Sequence, residues 1–109
     1  MNNLSFPQLV YKYCALIPKG KISTYKEIAR ALNNPGAARA VGNTLNKNPF
    51  APLVPCHRVI RANGEVGGFA SGPKRKIAIL RQEGIIIKDN KIDLSKYLYE
   101  FNSKKSIKK

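Results

Sequence analysis

The chain has 109 residues and is strongly basic, with 20 Lys and Arg against 6 Asp and Glu and a formal net charge of +14. This length suits one domain and excludes a second catalytic one, because a domain core takes roughly 100–150 residues. A hydrophobic content of 43% favours a folded chain. The charge favours nucleic acid as partner, although a solvated lysine-rich surface would give the same balance.

Targeting and metal-binding signals are missing from the sequence. It has neither a long apolar run nor a secretory signal pattern, so we expect no membrane contact and a cytoplasmic protein, or a nuclear one in a eukaryote. Cys14 and Cys56 are then expected as reduced thiols. With a single histidine besides, they cannot supply the four clustered ligands of a structural zinc site, so we expect no metal.

The first two predicted helices occupy the N-terminal third of the chain. Apolar side chains recur on one helical face over residues 5–17, and Cys14 lies on that face as a core residue. Thr24 and Glu27 form a capping box that begins the second helix, and the turn-forming run at residues 33–36 ends it.

The third predicted helix, residues 37–46, has two unlike faces. The face expected in the core carries Ala37, Ala40, Val41, Thr44 and Leu45. The opposite face is small and polar with one long cation, and carries Ala38, Arg39, Gly42, Asn43 and Asn46. Close approach to a partner would explain the glycine, which weakens a helix. Helices two and three thus favour a helix-turn-helix motif that enters a DNA groove, with a plain packing hairpin as the alternative.

A proline-rich loop and a β-hairpin are predicted next. Three prolines between residues 48 and 55 indicate a rigid extended loop. Residues 56–61 are predicted as a strand, with Asn63-Gly64 as the hairpin turn. The glycine-rich run 67–72 is typical of a loop whose amides approach a ligand.

The C-terminal part is predicted as a helix from Pro73 to Gly84, a strand over residues 85–87 and a final amphipathic helix over residues 94–101. Glu83 would lie near a helix C-terminus, where the macrodipole disfavours a carboxylate that has no partner.

The predicted organisation is one domain over residues 1–101, followed by a disordered basic tail over residues 102–109. The fold class is mostly α with a small β-hairpin, in a winged-helix-like helix-turn-helix DNA-binding domain.

The chemistry centres on Cys56 and His57, a thiol beside an imidazole on the stiffened loop. Only the thiolate is reactive, so a base and local positive charge are needed, and His57 and Arg58 are candidates. Neighbours on a strand point to opposite faces, so His57 would act through a water or at a bend. Glu83 is a candidate to orient the ring. An ordinary cysteine in a strand is the alternative.

Several motifs occur in order: Ala37-Ala38-Arg39-Ala40-Val41-Gly42, Asn48-Pro49, Pro55-Cys56-His57-Arg58-Val59 and Glu83-Gly84. Together they resemble the C-terminal catalytic domain of the O6-alkylguanine-DNA alkyltransferases. The resemblance implies a monomeric DNA repair protein that flips O6-alkylguanine, chiefly O6-methylguanine, from double-stranded DNA. It would transfer the alkyl group irreversibly to its own cysteine, in a single turnover and without a cofactor.

The resemblance also implies roles for the catalytic residues. Cys56 would accept the alkyl group, with His57 as the base acting through water and Glu83 polarising His57. Asn48 would hold the loop, and Tyr25 would donate to the guanine ring nitrogen as negative charge develops.

Two further sets follow from the same resemblance. On the DNA side, Arg39 would enter the base stack while small residues lie against the minor groove, namely Ala38, Ala40 and Gly42. The alkyl pocket would be formed by the Val59 carbonyl, which meets the exocyclic amine, and by Gly68, Phe69, Ala70 and Ser71.

Two departures and three alternatives accompany this hypothesis. Position 69 is Phe where the family usually has Tyr, and no counterpart of the family's usual N-terminal domain is expected here. A lesion-binding alkyltransferase-like protein would lack the acceptor cysteine, whereas this sequence keeps Cys56. A winged-helix regulator would not need the Pro-Cys-His-Arg loop, and a thiol hydrolase would leave Arg39 and the positive charge unexplained.

Overall fold

Five α-helices and a two-stranded sheet form the parts of the chain that the computed structural model describes, residues 4–49, 53–68 and 72–101. The helices are α1 (Phe6–Ala15), α2 (Tyr25–Ala31), α3 (Ala38–Asn46), α4 (Pro73–Gln82) and α5 (Leu94–Tyr97). The strands are β1 (Ser23–Thr24) and β2 (Val59–Ile60), and short 3-10 helices occupy Pro35–Ala37 and Cys56–Arg58. Within these ranges, no helix has the length and apolar character needed to cross a membrane.

Helix α1 begins at a capping box, as its sequence allows. The Ser5 side chain accepts a hydrogen bond from the Gln8 amide at 3.3 Å, and the Gln8 side chain accepts from the Ser5 amide at 2.8 Å. These bonds satisfy amides that a helix start leaves unpaired. Cys14 is fully buried on the inner face, which confirms its predicted place in the core.

Helix α2 begins where Thr24 accepts from the Glu27 amide at 2.9 Å, the cap predicted from the sequence. The Glu27 carboxylate pairs with Arg30 and also accepts from the backbone amide of Phe101 at 3.0 Å. Asn33, with φ at +64°, turns the chain after α2. One carboxylate therefore joins the start of the helix-turn-helix to the C-terminal segment.

The two faces of α3 differ from the prediction at two alanines. Val41 and Leu45 are buried, as expected, but Ala40 is exposed and Ala38 packs against the core. Ala38 precedes Leu45 by seven residues, about two helical turns, so both lie on one face, whereas Ala40 and Leu45 lie on different faces. The expectation that Ala40 belongs to the core is therefore wrong.

The predicted hairpin is replaced by a parallel pair of strands. Residues 56–58 form a 3-10 turn, and β2 pairs in parallel with β1, placing Ser23 opposite Val59. The turn at Asn63-Gly64 does form, since the Arg61 amide donates to the Glu65 carbonyl at 3.0 Å. The backbone at Glu65 then forms an isolated antiparallel β-bridge with Lys91, which lies farther along the chain.

The segment after α4 also departs from the prediction. Gly84, with φ at +93°, ends the helix, and residues 85–87 follow as irregular chain. Ile85 and Ile87 are buried while Ile86 is 62% exposed. The three isoleucines thus alternate in burial as a strand would, but within the described residues they do not pair with another strand. The final helix covers only Leu94–Tyr97, because the chain then runs extended beside Ile22.

The core consists of two clusters with β2 between them. One packs α1, α2 and α3 around Val59, and the other joins Ile60 to Leu80 of α4 and the C-terminal isoleucines. Phe101 closes the first cluster through edge contacts with Tyr13 and Tyr99. Successive residues of β2 thus face different clusters, and this strand leads directly out of the Cys56 turn.

Candidate functional site

Cys56 is the first residue of the 3-10 turn that links the proline-rich loop to β2. The Cys56 amide donates to the Val54 carbonyl at 2.8 Å, and the Arg58 amide donates to the Pro55 carbonyl at 2.9 Å. Cys56 is 8% exposed and His57 is 6% exposed. Because this segment is a bend and not a strand, the two side chains are not forced to opposite faces.

Asn48 connects the end of α3 to this turn. Its side-chain amide donates to the Val54 carbonyl at 2.8 Å, and its backbone amide donates to the Leu45 carbonyl at 3.1 Å. Asn48 therefore links the end of α3 to the loop that leads into the cysteine turn.

His57, Arg58 and Glu83 form a hydrogen-bonded group beneath the turn. His57 Nε2 lies 3.0 Å from Glu83 Oε2. Arg58 forks onto the same carboxylate, with Nε donating to Oε1 at 2.9 Å and Nη2 to Oε2 at 2.7 Å. Two partners thus stabilise a carboxylate at the C-cap of α4, where the helix dipole opposes it.

The same contacts set the charges of this group. Burial opposes the ionised form of Glu83, but the hydrogen bonds from Arg58 and His57 outweigh it and lower the pKa of Glu83. Burial lowers the pKa of His57 in spite of the nearby carboxylate. Neutral His57 donating from Nε2 to Glu83 keeps a lone pair on Nδ1, which is the arrangement of a base.

Lys76 is a buried residue that the sequence reasoning missed. It is 0% exposed, and its ammonium donates to the Val59 carbonyl at 2.7 Å, the Gly68 carbonyl at 3.0 Å and the Tyr25 hydroxyl at 3.4 Å. Burial lowers the pKa of Lys76 to about 8 and raises that of Tyr25. Lys76 lies four residues before Leu80 and therefore on the same inner face of α4, and this spacing could have indicated from the sequence that Lys76 is buried.

The two cysteines differ in their surroundings. Burial raises the pKa of Cys14 to about 12, with the neighbouring Cys56 adding to the effect. Cys14 is therefore an unreactive thiol at neutral pH. Cys56 directly precedes His57 in the 3-10 turn.

A cleft of about 800 Å³ opens between α2, α3 and the turn after β2. Five of the predicted site residues line it: Tyr25, Ala38, Arg39, Gly42 and Gly68. Lys26 and Arg61 add two more cations to its wall. Cys56, His57 and Glu83 are not among the residues that line it.

The remaining predicted site residues are distributed as follows. Ala40 is exposed on α3, outside the cleft lining, and the Val59 carbonyl already accepts from Lys76. Phe69, Ala70 and Ser71 lie outside the described residues, as does the predicted tail at 102–109. A Cβ on Gly42 would lie 3.7 Å from the Tyr25 ring, an ordinary contact, so packing inside the protein does not demand this glycine.

These features define a helix-turn-helix protein whose second helix lines a basic cleft and whose cysteine turn carries a histidine in contact with Glu83. Residues 5–85 match the family described as 6-O-methylguanine DNA methyltransferase, DNA binding domain. The chain belongs to this family.

Curated relatives share much of the sequence. The methylated-DNA–protein-cysteine methyltransferase of Methanosarcina acetivorans is 49% identical over 79 residues, 72% of this chain and 51% of that protein. Its counterpart from Shigella flexneri is 45% identical over 75% of this chain and 48% of that protein. The chain spans about half the length of these relatives. A bifunctional methyltransferase/endonuclease of Picrophilus torridus is 36% identical over 100% of this chain and 37% of its own length.

Two solved structures share the fold. S. pombe Atl1 in complex with damaged DNA containing O6-carboxymethylguanine gives a TM-score of 0.82 at 33% identity, covering 93% of this chain and 100% of that chain. Mycobacterium tuberculosis OGT in complex with DNA gives 0.71 at 46% identity, covering 75% and 50%. They confirm the predicted helix-turn-helix class.

Proposed function

We propose that this protein repairs O6-alkylguanine in double-stranded DNA by moving the alkyl group to Cys56. In this proposal residues 1–101 act as the catalytic part of the family, and the expected activity is that of a single-turnover methylated-DNA–cysteine S-methyltransferase. The observation that carries the proposal is the 3.0 Å contact between His57 and Glu83 directly behind a cysteine turn. A packing cysteine would not need a neighbouring histidine that is hydrogen-bonded to a carboxylate.

The first step is removal of the thiol proton. Neutral His57, with its lone pair on Nδ1, takes the proton of Cys56 through a bridging water. Ionised Glu83 stabilises the imidazolium that forms, and Arg58 keeps Glu83 in place and charged. The resulting thiolate is the nucleophile.

The second step is an in-line displacement at the alkyl carbon. A bond forms between that carbon and the Cys56 sulfur while its bond to O6 breaks, and the electron pair stays on the guanine. Tyr25 donates a hydrogen bond to the ring nitrogen as this charge develops. The thioether has no route back to a thiol, so each molecule acts once.

Recognition of the lesion is assigned to the cleft. Arg39 is exposed on α3 and is placed to occupy the stack that the extruded base leaves. The small residues Ala38, Ala40 and Gly42 let α3 lie close to the minor groove. The Val59 carbonyl, Gly68 and residues 69–71 are proposed to hold the base, with the Val59 oxygen shared between Lys76 and the exocyclic amine.

The deciding experiment measures covalent transfer. The protein is mixed with equimolar duplex containing one O6-methylguanine, digested, and the Cys56 peptide is weighed. We expect one methyl group per protein on Cys56 and none on the Cys14 peptide, which is an internal control. Cys56→Ser and an undamaged duplex should give no mass change.

Lesion binding without transfer is the second candidate, favoured by the full-length match to S. pombe Atl1. Tight binding of the damaged duplex with an unmodified Cys56 would support this candidate and contradict repair.

A further inference from the structure

Two cations from different parts of the chain, Lys76 and Arg61, act on the Tyr25 hydroxyl. Lys76 of α4 donates to it from the buried side at 3.4 Å. On the cleft side, the same hydroxyl lies 3.4 Å from the point that a Cβ on Gly67 would occupy, and Arg61 Cγ and Nε lie 3.4 Å and 3.7 Å from that point. Tyr25 and Arg61 both line the cleft.

The backbone around Arg61 fixes this arrangement. Arg61 follows β2 directly, its amide donates to the Glu65 carbonyl at 3.0 Å, and its carbonyl accepts from the Gly64 amide at 2.9 Å. Gly67 has φ at +78°. Any larger residue there would be strained by this positive φ. The Arg61 stem and the Tyr25 hydroxyl approach each other at this glycine, since each lies 3.4 Å from the same point.

We propose that Arg61 is a positioning residue that acts through Tyr25, an inference that rests on the proposed function. Its guanidinium keeps the tyrosine hydroxyl a strong hydrogen-bond donor while the departing guanine gains negative charge. Arg61 is suited to this because a guanidinium keeps its charge at every working pH. Arg61 is exposed and lines the cleft.

Electrostatics agree with the geometry. Burial raises the pKa of Tyr25, and Arg61 is the strongest influence that lowers it. Among the described residues, Lys76, Cys56 and Cys14 are the other titratable groups that bear on this hydroxyl, and an ionised thiol there would weaken its acidity. A donor with a lower pKa stabilises a developing anion better.

Arg61 could instead act only on DNA phosphates, and a substrate without phosphates separates the two roles. The probe is free O6-benzylguanine, with transfer to Cys56 followed in single-turnover reactions from pH 6 to 9. We expect Arg61→Gln to slow transfer about tenfold, which is the effect of removing one partly screened positive charge. The transfer rate of Arg61→Lys should remain within about twofold of the wild-type rate. Arg75→Gln is the matched control, an exposed arginine of α4 outside the cleft lining, and should not change the rate.

Two further measurements make the test specific to Tyr25. In a Tyr25→Phe background, Arg61→Gln should cause no additional loss. In ring-¹³C-tyrosine NMR titrations, Arg61→Gln should raise the pKa of Tyr25 while Arg75→Gln leaves it unchanged.

An unchanged free-base rate and an unchanged Tyr25 titration in Arg61→Gln would overturn the inference, even if repair of duplex fell. If wild-type Cys56 is never alkylated, the proposed function fails, and the Tyr25 titration still decides the effect of Arg61.

Discussion

Burial and partners assign a protonation state to each titratable side chain near Cys56. Glu83 stays ionised because Arg58 and His57 donate to it, and His57 stays neutral because burial disfavours its charged form. Lys76 is inside the protein at a cost that three oxygen acceptors offset. These protonation states predict how the rate of the proposed reaction depends on pH. They also predict how the free energy of unfolding depends on pH.

The contact between His57 and Glu83 predicts the behaviour of Glu83→Gln. This variant keeps the shape of the side chain but removes the charge that stabilises imidazolium, so we expect alkyl transfer about 10- to 100-fold slower, as for other partners that orient a functional histidine. The contact also raises the pKa of His57, so its loss should move the acid limb of the rate profile to lower pH. Single-turnover rates across pH 5 to 8 measure both effects.

Wild type should lose activity only below pH 6.5, the ordinary pKa of histidine, since burial lowers that of His57. Glu65→Gln, on the turn after β2, is the matched control and should behave as wild type. Rates of Glu83→Gln within twofold of wild type at every pH would contradict the role of Glu83.

Lys76 predicts that folding stability rises with pH just above neutrality. Burial lowers its pKa from 10.5 to about 8, so between these values the unfolded chain holds a proton that the folded chain lacks. From pH 8 to pH 9 the free energy of unfolding of wild type should increase by about 1 kcal/mol relative to that of Lys76→Met, the change that Lys76 contributes. Denaturant titrations at fixed pH measure this increase.

Lys76→Met should remove the rise with pH. Above pH 9 the rise should level off in wild type, because the pKa of Cys14 is raised to about 12 and the unfolded chain loses a Cys14 proton that the folded chain keeps, which offsets the contribution of Lys76. Equal pH slopes in wild type and Lys76→Met between pH 8 and 9 would show that another group is responsible.

At the level of elements, α3 and the cysteine turn are the two parts whose relation matters most. Asn48 joins them, and a Cβ on Gly42 of α3 would lie 3.7 Å from the Tyr25 ring of α2. Arg39 is exposed on α3 and lines the cleft, whereas Cys56, His57 and Glu83 do not line it. Binding of duplex and transfer to sulfur should therefore be separable by mutation.

Arg39→Ala is expected to lower the rate of duplex repair at least tenfold, since nothing would fill the stack behind an extruded base. The rate of transfer from free O6-benzylguanine should stay within about twofold of the wild-type rate, because Arg39 lies in the cleft lining and Cys56 does not. Both rates come from single-turnover reactions. Lys47→Ala removes a charge from the C-cap of the same helix and serves as control. An equal loss on both substrates would point to a folding defect instead.

At the scale of the whole molecule, the excess positive charge dominates. Three cations line the cleft, Lys26, Arg39 and Arg61, and its described lining contains no carboxylate. With a net charge of +14, the surface should attract DNA over a range set by the ionic strength.

Duplex affinity should therefore fall linearly with salt on a double-logarithmic plot. Three neutralised phosphates would give a slope of about −3 or steeper, and Lys26→Ala should reduce its magnitude by about one. Fluorescence anisotropy of a labelled duplex at several salt concentrations measures the slope. A flat response would contradict an electrostatic interface.

The sequence was most informative where the signal was local. The cap at Thr24 and the turn at Asn33 depend on neighbours within a few positions, so the helix-turn-helix could be predicted with its boundaries nearly correct. The family resemblance pointed to Cys56, His57 and Glu83 as a group, and the structure brings the last two into contact.

Tertiary packing decided what local signals could not. Residues 85–87 alternate like a strand but have no strand partner, and β2 pairs with a strand 36 positions earlier in the chain. Lys76 reads as a solvent charge, yet three oxygens from distant segments meet its ammonium inside the protein. Capping and helical periodicity are properties of neighbouring residues, whereas strand pairing and the solvation of a buried charge depend on chain segments that only folding brings together.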